Sequence, residues 1–104
     1  MIVPLPVKKD KIGRRVAGIS TTEYYHQIAE EVLEAYENAV ISAFVDKLNR
    51  EKIVGDNDKE AEKLANIITY CITRLEIIGY DENKRRELFQ MVNEKNCERG
   101  YFDD

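Results

Sequence analysis

Four glutamates fall within eight positions of this 104-residue chain: Glu30, Glu31, Glu34 and Glu37. On a helix, Glu31 and Glu34 (three apart) and Glu30 and Glu34 (four apart) project as neighbours from adjacent turns. Like-charge neighbours cost a helix only about 0.2–0.5 kcal/mol per pair, so a solvated acidic face is one reading. The other is half of a metal site. Carboxylates from two antiparallel helices can bind Mg²⁺ or Mn²⁺, hard cations that prefer oxygen ligands. Such a metal would hold a polyphosphate and lower the pKa of an attacking water. His26, one turn earlier, reads as a partly buried, hydrogen-bonded residue rather than a catalyst.

The element that must carry these glutamates is long. Ser20-Thr-Thr-Glu23 is a capping box that starts a helix running to about Asn49. Tyr25, Ala29, Val32, Tyr36, Ala39 and Ala43 are spaced four, three, four, three, four, which predicts the buried stripe. Ile41, Phe44, Val45 and Leu48 widen the apolar surface at its end. A helix on the order of 40 Å long exceeds what a small monomer can cover, so part of it is expected to pack on another subunit.

The facing partner is a second helix over about 59–78, after a turn at Gly55-Asp-Asn-Asp58 and capped by Asn57 or Asp58. Its apolar positions are Ala61, Leu64, Ala65, Ile68, Cys71, Ile72, Leu75 and Ile78; Ile67 and Ile77 fall outside that stripe. Gly79 ends it and Asp81 caps a third helix, about 82–96, with Leu88, Phe89, Met91 and Val92 inward. Lys84-Arg85-Arg86 are expected to face solvent or a ligand. The predicted fold is all-α: an antiparallel bundle of three main helices, completed by homo-oligomerisation to a dimer or tetramer.

Composition agrees. Hydrophobic residues make up 43% and charged residues 35%, with two prolines and five glycines, as in a helix-rich soluble domain. No apolar run approaches a membrane span and no signal peptide is visible, so a cytoplasmic location is expected. Two cysteines and one histidine make neither a disulfide framework nor a zinc set; Cys71 reads as core. The net charge of −4 divides unevenly: residues 1–19 carry +4 and residues 20–104 carry −8. An acidic body lacks the broad basic field of a nucleic-acid binder. We therefore divide the chain into a basic N-terminal arm, 1–19, and a helical domain, 20–104. The arm, with Pro4 and Pro6, reads as an extended strap across a neighbouring subunit or as a flexible tail, with room for a short strand.

Glu30-Glu31-x-x-Glu34, followed on the next helix by Glu62-Lys63-Leu-Ala-Asn66-Ile-Ile, resembles the MazG-like nucleotide pyrophosphohydrolases of the all-α NTP pyrophosphohydrolase group. Leu75-Glu-Ile-Ile-Gly-Tyr80-Asp-Glu and Val92-Asn-Glu-Lys-Asn-x-x-Arg99-Gly-Tyr-Phe are also similar to the ending of that family, so the resemblance covers roughly residues 23–102. It implies Mg²⁺- or Mn²⁺-dependent hydrolysis of a nucleoside triphosphate to a monophosphate and pyrophosphate. By the same resemblance Glu31 and Glu34 are metal ligands, Glu30 a base or water-orienting group, and Lys95, Asn96 and Arg99 phosphate contacts. Glu62 and Asn66 would complete the metal site from the second helix.

One departure stands out. Where the family has E-x-x-D, this chain has Lys63-Leu-Ala-Asn66, which removes two negative charges and adds a positive one. Glu62 points about 100° away around the helix and replaces the missing glutamate only if the register shifts. The alternative function is therefore a degenerate MazG-like protein that binds a nucleotide or a protein partner without hydrolysis, with Lys63 as a phosphate contact.

Overall fold

A computed structural model describes residues 3–49 and 57–103. Among these residues the protein is all-helical: α1 spans Thr21–Asn49, α2 Asn57–Ile77 and α3 Glu82–Glu98, with no strand. The expected Gly55-Asp56 turn and the side chain of Leu48 lie outside the described residues. No helix among the described residues is long and apolar enough to cross a membrane. The chain falls into two units, Met1–Thr73 and Arg74–Asp104.

Local chemistry sets the helix ends. The Ser20 hydroxyl accepts the Glu23 N–H at 3.2 Å, the first half of the capping box. The Glu23 carboxylate does not reach back; it pairs with the Arg14 guanidinium. Asn57 and Asp58 are both helical at the first described residues of α2, and the residue before them lies outside the described residues. At its other end the Tyr80 N–H donates to the Leu75 carbonyl (2.8 Å) and the Gly79 N–H to that of Glu76 (3.1 Å). This six-to-one, five-to-two pair is a Schellman stop, and Gly79 supplies its left-handed residue with φ 99°. Asp81 caps α3 by accepting the Lys84 N–H at 2.9 Å.

In the first unit the paired faces differ from expectation. On α1, Tyr25, Ala29, Val32, Tyr36, Ala39 and Ala43 are all exposed. The inward face is Tyr24, Ile28, Glu31, Ala35, Ser42 and Val45, buried or half-buried. That seam has the same three-four spacing, displaced by one residue and hence by about 100°. On α2 the inward residues include Lys63, Ile67, Tyr70, Ile72 and Thr73, while Leu64, Ile68 and Cys71 are exposed. Ile67, expected off the stripe, is on it, and Cys71 is not core. The contacts explain the choice. Tyr24, fully buried, donates its hydroxyl to the Tyr70 carbonyl at 2.7 Å. The two rings meet edge to face, 6.3 Å apart. Aliphatic content did not decide which stripe turns inward; these tyrosines and the charged pairs described below did.

From Val7 to Ile19 the N-terminal segment folds back onto the helices of its own unit. Asp10 sits almost wholly buried at the hub of a closed loop. Its carboxylate accepts the N–H groups of Ile12 (3.1 Å) and Arg14 (2.8 Å) and the Arg14 Nε (2.9 Å). A single antiparallel bridge joins Lys9 to Arg15. The Val7 N–H donates to the Thr73 hydroxyl at 3.0 Å, and Val16 and Ile19 are buried, so the segment is packed onto the helices.

In the second unit Leu88 is half-buried, whereas Phe89, Met91 and Val92 remain exposed, unlike the expected inward set. Arg85 is turned from solvent: it pairs with Glu76 and donates to the Tyr80 carbonyl at 2.8 Å.

Candidate functional site

The inward seam of α1 places Glu31 opposite α2 and beneath the N-terminal loop. Its side chain is only 12% exposed, and two ammonium groups flank it: Lys11 Nζ at 3.3 Å and Lys63 Nζ at 3.8 Å. Glu34, one turn on, forms an ion pair with the same Lys63. The pairings Tyr24–Tyr70 and Glu34–Lys63 advance in opposite directions along the two helices, so α1 and α2 are antiparallel here. Two glutamates and two lysines thus form a charge-balanced cluster. The hydrogen bond and charge of Lys63 hold the Glu34 carboxyl below its ordinary value of 4.5. Lys63 is raised above 10.5 by Glu34 first, against partial desolvation, and Lys11 is raised by its hydrogen bond to Glu31.

The remaining expected residues divide. Glu30 turns away from the cluster to His26, whose Nε2 lies 2.8 Å from its carboxylate. His26 itself is 69% exposed rather than partly buried. Glu62 is exposed beside Lys63 on α2. Asn66 lines a cavity of about 350 Å³ between the N-terminal loop and the helices, with Lys9, Asp10, Lys11, Glu31, Thr69 and Tyr70. Lys95, Asn96 and Arg99 belong to the second unit. There the Arg99 guanidinium lies 5.9 Å from the centre of the Tyr101 ring, and the Asn96 carbonyl accepts the Tyr101 N–H at 3.0 Å. A shallow groove on α3, lined by Arg86, Phe89, Gln90, Asn93, Glu94, Cys97 and Phe102, includes none of those three.

The structure therefore gathers Glu31, Glu34 and Lys63, brings Asn66 alongside, and adds a residue that sequence reasoning left in the arm, Lys11. The signal for Lys11 was the opposite charge of arm and body, which favours closure of one onto the other. The fit to a divalent cation is poor. The Lys63 ammonium pairs with the Glu34 carboxylate, and among the described residues no group of three or more His, Cys, Asp or Glu side chains is placed to hold a metal. A cluster with no net charge also lacks the excess negative charge that makes carboxylate sites bind hard cations.

No protein-family model, curated protein or solved structure matches this chain.

Proposed function

We propose that this chain is a MazG-like helical protein that binds a nucleotide without hydrolysing it. One observation carries the reading: Lys63 stands where the family pattern requires an acid, and its ammonium neutralises Glu34 and lies near Glu31. On this reading the Lys63 ammonium supplies the positive charge at the acidic motif, in place of Mg²⁺ and a metal-activated water. The adjoining cavity, about 350 Å³, falls at the small end of ligand sites. Lys9 and Lys11 offer charge to a phosphate there, and Asn66, Thr69 and Tyr70 offer hydrogen bonds to a base or sugar.

The test is calorimetric titration with a panel of NTPs, dNTPs and monophosphates, with and without Mg²⁺, alongside pyrophosphate release. The reading expects saturable binding that does not require metal, weakened at least about tenfold by Lys11→Ala, and no release. Metal-dependent turnover abolished by Glu34→Gln would restore the hydrolase reading. Absence of binding to every nucleotide would leave the fold without this function.

A further inference from the structure

We propose, resting on the nucleotide reading above, that the cavity beneath the N-terminal loop takes a nucleoside monophosphate and discriminates against the di- and triphosphate of the same nucleoside.

Space is the first constraint. The cavity holds about 350 Å³, close to the roughly 300 Å³ at which ligand sites begin. A base, a sugar and one phosphate fill such a volume, and a chain of three phosphates would have to leave it. The walls differ in kind. Lys9 and Lys11 come from the N-terminal loop, whereas Asn66, Thr69 and Tyr70 stand at i, i+3 and i+4 on α2 and share one face of that helix. The Thr69 hydroxyl already donates to the Ala65 carbonyl at 2.9 Å, so its oxygen is left to accept. Asn66 can both donate and accept. The uncharged wall suits a nucleoside, and the cationic loop suits its phosphate.

Charge is the second constraint, and it decides the number of phosphates. The Asp10 carboxylate is held by the Ile12 and Arg14 N–H groups and the Arg14 guanidinium. Glu31 is answered by Lys11 at 3.3 Å and Lys63 at 3.8 Å, and Lys63 is shared with Glu34. A ligand therefore meets the exposed Lys9 and the donors of Lys11 that Glu31 does not take. A phosphate monoester carries about −1.5 to −2 at pH 7, which two ammonium groups can hold. Each further phosphate adds negative charge with no cation to meet it, in a space that Asp10 and Glu31 also line. Triphosphate sites commonly meet that charge with Mg²⁺, and the charge-balanced cluster here fits a divalent cation poorly.

Calorimetric titration in EDTA tests the proposal, using the 5′-mono-, di- and triphosphates of the common ribonucleosides and inorganic phosphate. Affinity should fall from mono- to di- to triphosphate, by at least about tenfold overall for the preferred base. Lys9→Ala should weaken monophosphate binding while circular dichroism keeps the helical content. Glu31→Gln removes a repelling charge and should narrow the mono-to-triphosphate ratio at least about threefold, a ratio that loss of folded protein would not move. A triphosphate bound as tightly as the monophosphate would overturn the proposal and leave the nucleotide reading standing. Inorganic phosphate bound as tightly as the monophosphate would overturn it too, because the uncharged wall would then contribute nothing. Failure of every nucleotide to bind would overturn both.

Discussion

Lys63 on α2 forms an ion pair with Glu34 on α1, 29 positions earlier in the chain, and the same ammonium lies 3.8 Å from Glu31. Through this pairing the carboxylates that looked like metal ligands in the sequence become part of the seam between two helices. Lys11, 3.3 Å from Glu31, ties the N-terminal loop to the same cluster.

The first consequence concerns divalent cations. Wild-type thermal stability should not change with millimolar Mg²⁺ or Mn²⁺ beyond the general effect of ionic strength, judged against matched NaCl. Lys63→Glu with Asn66→Asp restores the acidic pattern and should gain a Mg²⁺-dependent rise in Tm, of several degrees once the cation exceeds its Kd about 100-fold. No gain in the double variant would mean that lost charge is not what keeps metal out.

The two kinds of acid in the first unit should behave differently on titration. Asp10 is opposed by burial, yet the N–H groups and guanidinium of Arg14, with the Ile12 N–H, hold its carboxyl below the ordinary 3.8. Its stabilisation is therefore complete above pH 3.8 and is lost as pH falls through the lowered value. Glu34 follows the same sign from 4.5, whereas Lys63, raised, contributes fully below 10.5 and loses its contribution as pH rises past its folded value. Between these limits both should be constant. In high salt the Glu34–Lys63 contribution should shrink, because Glu34 is 54% exposed, while that of Asp10 persists. Asp10→Asn should be less stable than wild type at pH 7 and lose less in acid; equal acid sensitivity would contradict the loop account.

Backbone conformation gives a sharper number. Gly79 holds φ 99° with open space where a Cβ would stand, so Gly79→Ala should cost about 1–2 kcal/mol through strain alone. Asp81→Ala, which removes the cap of α3, should cost about 1 kcal/mol. Urea unfolding with an unchanged slope would measure both; a neutral Gly79→Ala would contradict the Schellman stop.

These helix ends were legible in the sequence because each is local: Ser20, Gly79 and Asp81 act on backbone groups within a few residues. So was the existence of three helices. What could not be read was which face each helix turns inward. α1 carries two seams with the same spacing, one residue apart, and the more apolar of them (Tyr25, Ala29, Val32, Tyr36) is the outward one. The inward seam contains Glu31, which only makes sense once Lys63 and Lys11 are placed beside it. The closed loop around Asp10 was hidden for the same reason: its buried carboxylate depends on partners that charge counting assigned to a free arm.

The buried tyrosine pair should hold the two helices in register. Tyr24→Phe keeps the ring but removes the hydroxyl that reaches the Tyr70 carbonyl, and should cost about 1 kcal/mol. Tyr36→Phe, at an exposed position of the same helix, should cost less than half of that. Equal losses would mean that the inward seam has been misplaced.

The central proposal, that the Lys63 ammonium stands in for a metal at the acidic motif, meets its most direct test in pyrophosphate release. Purified protein is incubated with NTPs and dNTPs and Mg²⁺ or Mn²⁺, beside Lys63→Glu/Asn66→Asp and Glu34→Gln. The account predicts no release from wild type or Glu34→Gln, and metal-dependent release from the restored double variant. Release by wild type that disappears in Glu34→Gln would contradict it, and would show that the Lys63 ammonium gives way to a metal during turnover.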